Sequence, residues 1–227
     1  MNFRIKQTVA LSASLVLSNL ATAQDLTVGL TTGLTGTNIE ISSPINDYVS
    51  VRADMHLAGS VDKTLTLENN SYNISFTPDT KSLLVDVHPF SGAFYMTGGL
   101  VDQNINFALK GNSSAGNYTF NDTSYSTGSV GTFTGTAGFS KSIAPYIGMG
   151  WSNRNKEADG VAFSIEFGVI DVGTGKADLS VSCGSALTSS QCVTLQNDVT
   201  SEINKVNSNL DKKLFYPVAK VGISYRF

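Results

Sequence analysis

The chain has 227 residues, 41% hydrophobic and only 15% charged, with 15 Lys and Arg against 18 Asp and Glu; a water-soluble domain usually carries about 25% charged residues. So little charge leaves an ordinary soluble surface unaccounted for, and the acidic balance excludes an electrostatic nucleic-acid binder. After residue 23 no apolar run is longer than Leu214 to Ala219, which excludes a membrane-spanning helix.

At the amino end, Arg4 and Lys6 precede an apolar stretch from Val9 to Leu20 and then Ala21-Thr22-Ala23, the small-x-small pattern of a cleaved secretory leader. Residues 1–23 read as a signal peptide and 24–227 as one domain. Losing two basic and no acidic residues moves the formal charge from −3 to −5. Abundant Gly, Ser, Thr and Asn with few charges is the composition of a transmembrane β-barrel, apolar outward and polar inward at a period of two.

That period recurs along the chain. Leu26, Val28 and Leu30 alternate with Thr27, Gly29 and Thr31, and Ile39 and Ile41 with Asn38, Glu40 and Ser42. Val49, Val51, Ala53, Met55 and Leu57 alternate with Ser50, Arg52, Asp54 and His56. Leu83, Val85 and Val87 face away from Asp86 and His88, and Phe94, Met96 and Leu100 away from Tyr95, Thr97 and Gly99. Ile143, Ile147, Met149 and Trp151 oppose Ala144, Tyr146, Gly148 and Gly150; Val161, Phe163, Ile165, Phe167 and Val169 oppose Ser164, Glu166 and Gly168. Finally Ala219, Val221, Ile223, Tyr225 and Phe227 alternate with Lys220, Gly222, Ser224 and Arg226. A strand sends such sets to opposite faces. Eight strands result, an even number that puts both termini at one end. Tyr225 and the terminal Phe227 have the form of an outer-membrane assembly signal.

The connections carry a second pattern. Ser43 to Asp47, His88 to Gly92 and Ser152 to Gly160 are short and rich in turn formers, and are assigned to the periplasmic end. On the other end the first connection is a tight hairpin near Gly33 to Gly36. The rest are long, from about Gly59 to Asp79, Asp102 to Gly138 and Gly173 to Lys213. Short turns on one side and long loops on the other is the outer-membrane pattern. The third connection is expected to extend as a hairpin. In the fourth, Val199, Ile203, Val206 and Leu210 recur at helical spacing, predicting a short amphipathic helix that packs back on the barrel mouth.

Cys183 and Cys192 are the two cysteines, both in the fourth connection. A redox pair or metal site lacks the close spacing and the neighbouring His, so a disulfide staple is expected in an exported protein. The inward ionisable residues Arg52, Asp54, His56, Asp86, Glu166, Lys220 and Arg226, with Tyr95 and Tyr146, share the lumen of a barrel just wide enough for side chains to fill it. Two readings of that lumen stand: an ion-paired plug holding the barrel shut, or a gated path whose carboxylates receive the amine of a small zwitterionic or cationic solute. A hydrolytic site needs His beside Ser or an acid at the outer end; His88 falls at the other end, and His56 has no outward Ser on its strand. No enzyme, metal or cofactor is expected.

Val85 to Phe90 with Gly92, Ile143 to Trp151 with its Ala-Pro-Tyr, and Phe215 to Phe227 with its Tyr-Pro-Val resemble segments of small proteobacterial outer-membrane barrels. That group includes the ornithine-uptake, carbapenem-susceptibility-associated outer-membrane protein. The resemblance covers the strands from about Leu83 onward and is weak over residues 24–80 and the long loops. It implies eight strands, a constricted interior and a role in uptake of small basic amino acids. The reading is therefore an all-β, eight-stranded antiparallel transmembrane barrel of a Gram-negative outer membrane, a narrow loop-gated channel for small solutes such as amino acids. The alternative is a closed structural or adhesin-like barrel acting through its loops. Expected partners are outer-membrane lipid and lipopolysaccharide, the barrel-assembly machinery and amino-acid-like solutes, with the chain a monomer that binds no nucleic acid.

Overall fold

A computed structural model describes residues 26–67, 70–111, 116–153 and 160–227; the predicted leader, part of the third connection and most of the Ser152 to Gly160 turn lie outside them. The strands are β1 (Thr27–Gly33), β2 (Gly36–Asn46), β3 (Val49–Ala58), β4 (Val61–Leu67), β5 (Asn70–Val87), β6 (Phe94–Gly111), β7 (Asn117–Phe120), β8 (Thr123–Ser126), β9 (Val130–Phe139), β10 (Ile143–Ser152), β11 (Gly160–Gly173), β12 (Gly175–Cys183) and β13 (Leu214–Arg226), with one helix, α1 (Ser189–Leu210). Eight of them close a ring in the order β1, β2, β3, β5, β6, β10, β11, β13 and back to β1, antiparallel throughout. These are the eight strands that the alternation predicts. Closure leaves the ring with no unpaired edge, and the backbone N–H of Phe227 donates to the carbonyl of Leu26 at 3.0 Å, bringing the chain's end back to the first strand.

The polarity of the ring is inverted relative to a soluble barrel. Outward residues such as Ile147, Phe163 and Ile143 are 66%, 64% and 63% exposed, while inward Arg52, Glu166 and Asp86 are 1% exposed. Leaving a large aliphatic or aromatic side chain in water forgoes about 1.5–3 kcal/mol, and a continuous apolar belt of this kind marks a surface made for a non-aqueous neighbour. At the short-turn end the belt is edged by exposed Tyr48, Phe90, Trp151, Tyr225 and Phe227, with Phe94 and Trp151 rings 5.4 Å apart.

The turns at that end are closed by side chains. Asn46 Oδ1 accepts from the backbone N–H of Tyr48 and Val49 at 2.8 and 2.9 Å, an Asx-type turn. His88 Nδ1 pairs with the carbonyl of Gly92 at 3.1 Å, which closes the β5–β6 turn.

At the other end the strands do not stop where the apolar alternation stops. β5 and β6 each run 18 residues, although a tilted strand needs about 9–11 to cross a bilayer. Beyond Lys81, β5 leaves β3 and takes up β4; beyond Asp102, β6 leaves β10 and takes up β9, which in turn pairs with β12. Pro78, lacking an N–H, falls between the β3 and β4 pairings of β5, where no ladder partner is required on that side. β7 and β8 form the hairpin expected in the third connection. α1 is 22 residues long and starts from a capping box in which Thr188 and Gln191 satisfy each other's backbone N–H. It lies on this outer sheet: Leu195 and Val199 pack with Tyr118, Phe120, Val130 and Phe133, and the Asn207 side chain bonds both backbone polar groups of Ala177 on β12. Its packing partners are thus β9, β12 and the β7–β8 hairpin, where the sequence predicts the barrel mouth. Cys183 and Cys192 are bonded with Cα atoms 5.6 Å apart, tying the end of β12 to the first turn of the helix.

Candidate functional site

Because period two sends β2, β3, β5, β6, β11 and β13 side chains inward at matching heights, their polar residues meet in one cluster. Arg52 Nη1 contacts Glu40 Oε2 at 3.2 Å, and its Nη2 contacts Asp86 Oδ1 at 3.0 Å and Glu166 Oε2 at 2.6 Å. The same Nη2 donates to Thr97 Oγ1 at 3.3 Å, and the guanidinium carbon stands 5.7 Å from the centre of the Tyr95 ring. Lys220 Nζ bridges Asp54 Oδ2 at 2.8 Å and Glu166 Oε1 at 3.3 Å. Glu166 is the junction, since it also accepts from the Tyr95 hydroxyl at 2.7 Å and the Tyr146 hydroxyl at 2.6 Å. Charges removed from water at this depth persist only when paired and hydrogen-bonded, and here four carboxylates share two cations.

Two inward glycines make room for this. A Cβ on Gly150 would meet the Tyr95 ring and hydroxyl, and one on Gly168 would meet the Tyr146 ring and hydroxyl. The small residues between apolar ones in β10 and β11 are the spaces into which the two tyrosines reach toward Glu166.

Next along the lumen, toward the loop end, the lining turns apolar: Leu84, Val101, Tyr146, Ile170, Val172 and Val218 form one buried cluster, with Phe139, Leu214 and Tyr216 packed against it. Where charged and apolar layers meet lies a cavity of about 30 Å³ lined by Asp54, Ser82, Thr80 and Lys220 among others. That is room for water and nothing larger. Ser82 Oγ donates to Asp54 Oδ2 at 3.0 Å, whereas Asp54 Oδ1 is buried and, among the described residues, has no hydrogen-bond donor.

Of the predicted lumen residues, Arg52, Asp54, Asp86, Tyr95, Tyr146, Glu166 and Lys220 thus fall into one connected network. His56 stands apart, its Nδ1 3.3 Å from the carbonyl of Thr35 by the β1–β2 hairpin. Arg226 is at the short-turn rim, opposite Thr27 and Gly160. Glu40 and Thr97 join the network without having been picked out; the alternation places both inward, but Glu40 stands on a strand whose short apolar set draws attention to its length more than its lining.

A second, peripheral cluster holds the outer module together. The Tyr125 hydroxyl donates to Asp198 Oδ2 at 2.5 Å, Asn121 Nδ2 donates to Asp198 Oδ1 at 3.2 Å, and Lys205 Nζ reaches Asn121 Oδ1 at 2.9 Å. The Tyr125 hydroxyl leads the contacts that hold the Asp198 carboxyl below its usual range; burial and Asp198 together push Tyr125 up to about 12.

A closed ring of eight antiparallel strands, apolar outside and ion-paired inside, defines the class: a small inside-out β-barrel with a filled lumen. In structure the chain is similar to Acinetobacter baumannii CarO2, with TM-score 0.63 and 17% identity over 89% of this chain and 98% of that one, and to Acinetobacter baumannii CarO, with TM-score 0.61 and 18% identity over 88% and 97%. The resemblance read in the strands from about Leu83 onward therefore holds at the level of the fold. The sequence matches no protein-family model and no curated protein.

Proposed function

We propose that the protein is a non-catalytic outer-membrane barrel of a Gram-negative bacterium, with its short turns in the periplasm, and that its lumen is a narrow, gated path for small amino-acid-like solutes, closed in the state described. The membrane placement is supported by the exposed apolar belt, the aromatic edge and the asymmetry of the connections. The path is supported by one observation above all: Asp54, which shares Lys220 with Glu166, lines the cavity at the border of the apolar layer and keeps one buried carboxylate oxygen without a donor. A plug built only for rigidity is served as well or better by apolar residues. A carboxylate with an unpartnered oxygen, sharing its lysine with Glu166, offers an entering ammonium group a partner.

Passage requires the apolar layer of Leu84, Val101, Ile170 and Val218 to part, so flux is slow and gated. The test is uptake of labelled ornithine, arginine and glycine into proteoliposomes. Entry of the cationic solutes above protein-free vesicles, reduced by Asp54→Asn, supports the path. Entry no faster than in protein-free vesicles refutes it. The second reading, a closed barrel that acts through its surface, is favoured by the outer module, a sheet and helix folded around their own core and stapled by a disulfide.

A further inference from the structure

Where β6 passes from β10 to β9, the wall of hydrogen bonds has a gap. β6 pairs with β10 as far as Asp102 and with β9 only from Phe107, and a cleft of about 320 Å³ opens at the break, lined by Asn104, Asn106, Thr136, Ser142, Lys176 and Asp178 among others. Its floor is sealed: the Gln103 N–H donates to the carbonyl of Ser142 at 2.7 Å, the Gln103 side-chain amide donates to the carbonyl of Lys141, and Ile105 N–H donates to Gln103 Oε1 at 2.9 Å.

The cleft opens on the same face as the apolar belt. On β6 the outward series runs Met96, Leu100, then Asp102, Asn104 and Asn106, changing from apolar to polar within one step. Thr136 stands opposite Ala108 and Asp178 opposite Thr136, which puts them on that face too. α1 occupies the other face of this sheet, against Leu179 and Val181. Beside the cleft, Lys141 and Lys213 share Asp171, at 2.7 and 3.1 Å, in a row one position beyond the belt residues Ile143, Val169 and Phe215. Two ammonium groups on one carboxylate leave one positive charge over. Lys213 Nζ also stands 5.1 Å from the centre of the Phe215 ring, its charged end held at the upper limit of the belt.

We propose that this face binds the phosphorylated sugar headgroup of an outer-leaflet glycolipid. Amides and hydroxyls of Asn104, Asn106, Thr136 and Ser142 offer the mixed donors and acceptors that sugar hydroxyls require. Lys141 and Lys213 receive the phosphate, and the acyl chains continue down the belt. The inference rests on the membrane placement proposed above and is independent of solute passage.

The test uses the full barrel in phosphatidylcholine nanodiscs, with insertion scored first by heat-modifiable gel migration; failure to insert counts against the membrane placement, and only inserted protein tests the site. Lipid A, dephosphorylated lipid A and a deacylated sugar phosphate are then titrated and bound ligand is measured by native mass spectrometry. Lipid A should bind wild type at least about tenfold tighter than Lys141→Ala/Lys213→Ala. Asn104→Ala/Asn106→Ala should weaken it several-fold, and Lys205→Ala on α1 should leave it unchanged. Equal binding by wild type and both double variants overturns the proposal. So does equally tight binding of the deacylated sugar phosphate, which would make the cleft a site for a free saccharide.

Discussion

Replacing Arg52 with Met probes the lumen most severely. The guanidinium is 1% exposed and touches Glu40, Asp86 and Glu166 at 3.2, 3.0 and 2.6 Å. Met fills much of the same volume but leaves three buried carboxylates without their shared cation, and Lys220, already bridging Asp54 and Glu166, is the single cation left in that network. Removing one partner of a buried pair typically costs about 3–5 kcal/mol, because the remaining charge stays desolvated. Urea unfolding in lipid vesicles, followed by the emission of Trp151, the one tryptophan of the chain, reads this loss. The double variant Arg52→Met/Glu166→Gln removes a charge as well as its partner, and should regain about 0.5–3 kcal/mol over the additive expectation. A single variant within about 0.5 kcal/mol of wild type, the range of an ordinary surface change, would mean that Arg52 does not hold these carboxylates together.

Three further predictions concern other parts of the molecule. Gly168→Ala drives a methyl group into Tyr146 and should destabilise the barrel by about 1–3 kcal/mol in the same titration; no change would mean that the tyrosine is not packed as described. Cys183→Ser/Cys192→Ser should weaken the outer module by about 2–3 kcal/mol on the chain-entropy model, read as faster proteolysis within α1 with unaltered heat-modifiable migration of the barrel. For the Tyr125–Asp198 contact the two ends of the pH scale act oppositely. Asp198 titrates below its unfolded value, so its contribution is complete above about pH 4 and fades as pH falls through the lowered value. Tyr125 is raised to about 12, so its neutral form contributes fully below about pH 10 and is lost as pH rises through 12. Tyrosinate absorbance of wild type and Tyr125→Phe should therefore differ by a late-titrating group, and superimposable curves would contradict the assignment.

The eight barrel strands were legible because the outward and inward faces of the ring carry opposite demands, which writes a period of two into Val49 to Leu57 or Val161 to Val169. The same strands were read as loop where the alternation turns over. In residues 70–82 of β5 and 103–111 of β6 the outward positions are polar, at Asn73, Ser75, Thr77, Asn104 and Asn106, while Ile74, Phe76, Ile105, Phe107 and Leu109 turn inward; the period of two persists there with its polarity reversed, and β12 carries it too in Ala177, Leu179 and Val181. In α1 the apolar positions from Val199 to Leu210 were visible, and the start was available too, in Thr188-Ser189-Ser190-Gln191, a capping-box sequence ahead of the apolar series. The lumen network was legible as a set of inward residues. Which of them touch depends on the register between strands, and period two alone leaves that open: His56 and Arg226 share the inward face with Glu166 yet lie at different heights.

On the membrane placement proposed above, the outward face of the ring lies in lipid and the outer sheet above it in water. Spin labels at Ile147, Phe163 and Val221, and at Thr134 and Asn106, in protein reconstituted into bilayers measure it directly through collision with oxygen and with a water-soluble nickel chelate. Oxygen-dominated relaxation is expected at the first three positions and nickel-dominated relaxation at the last two. Equal nickel access at all five would contradict that placement.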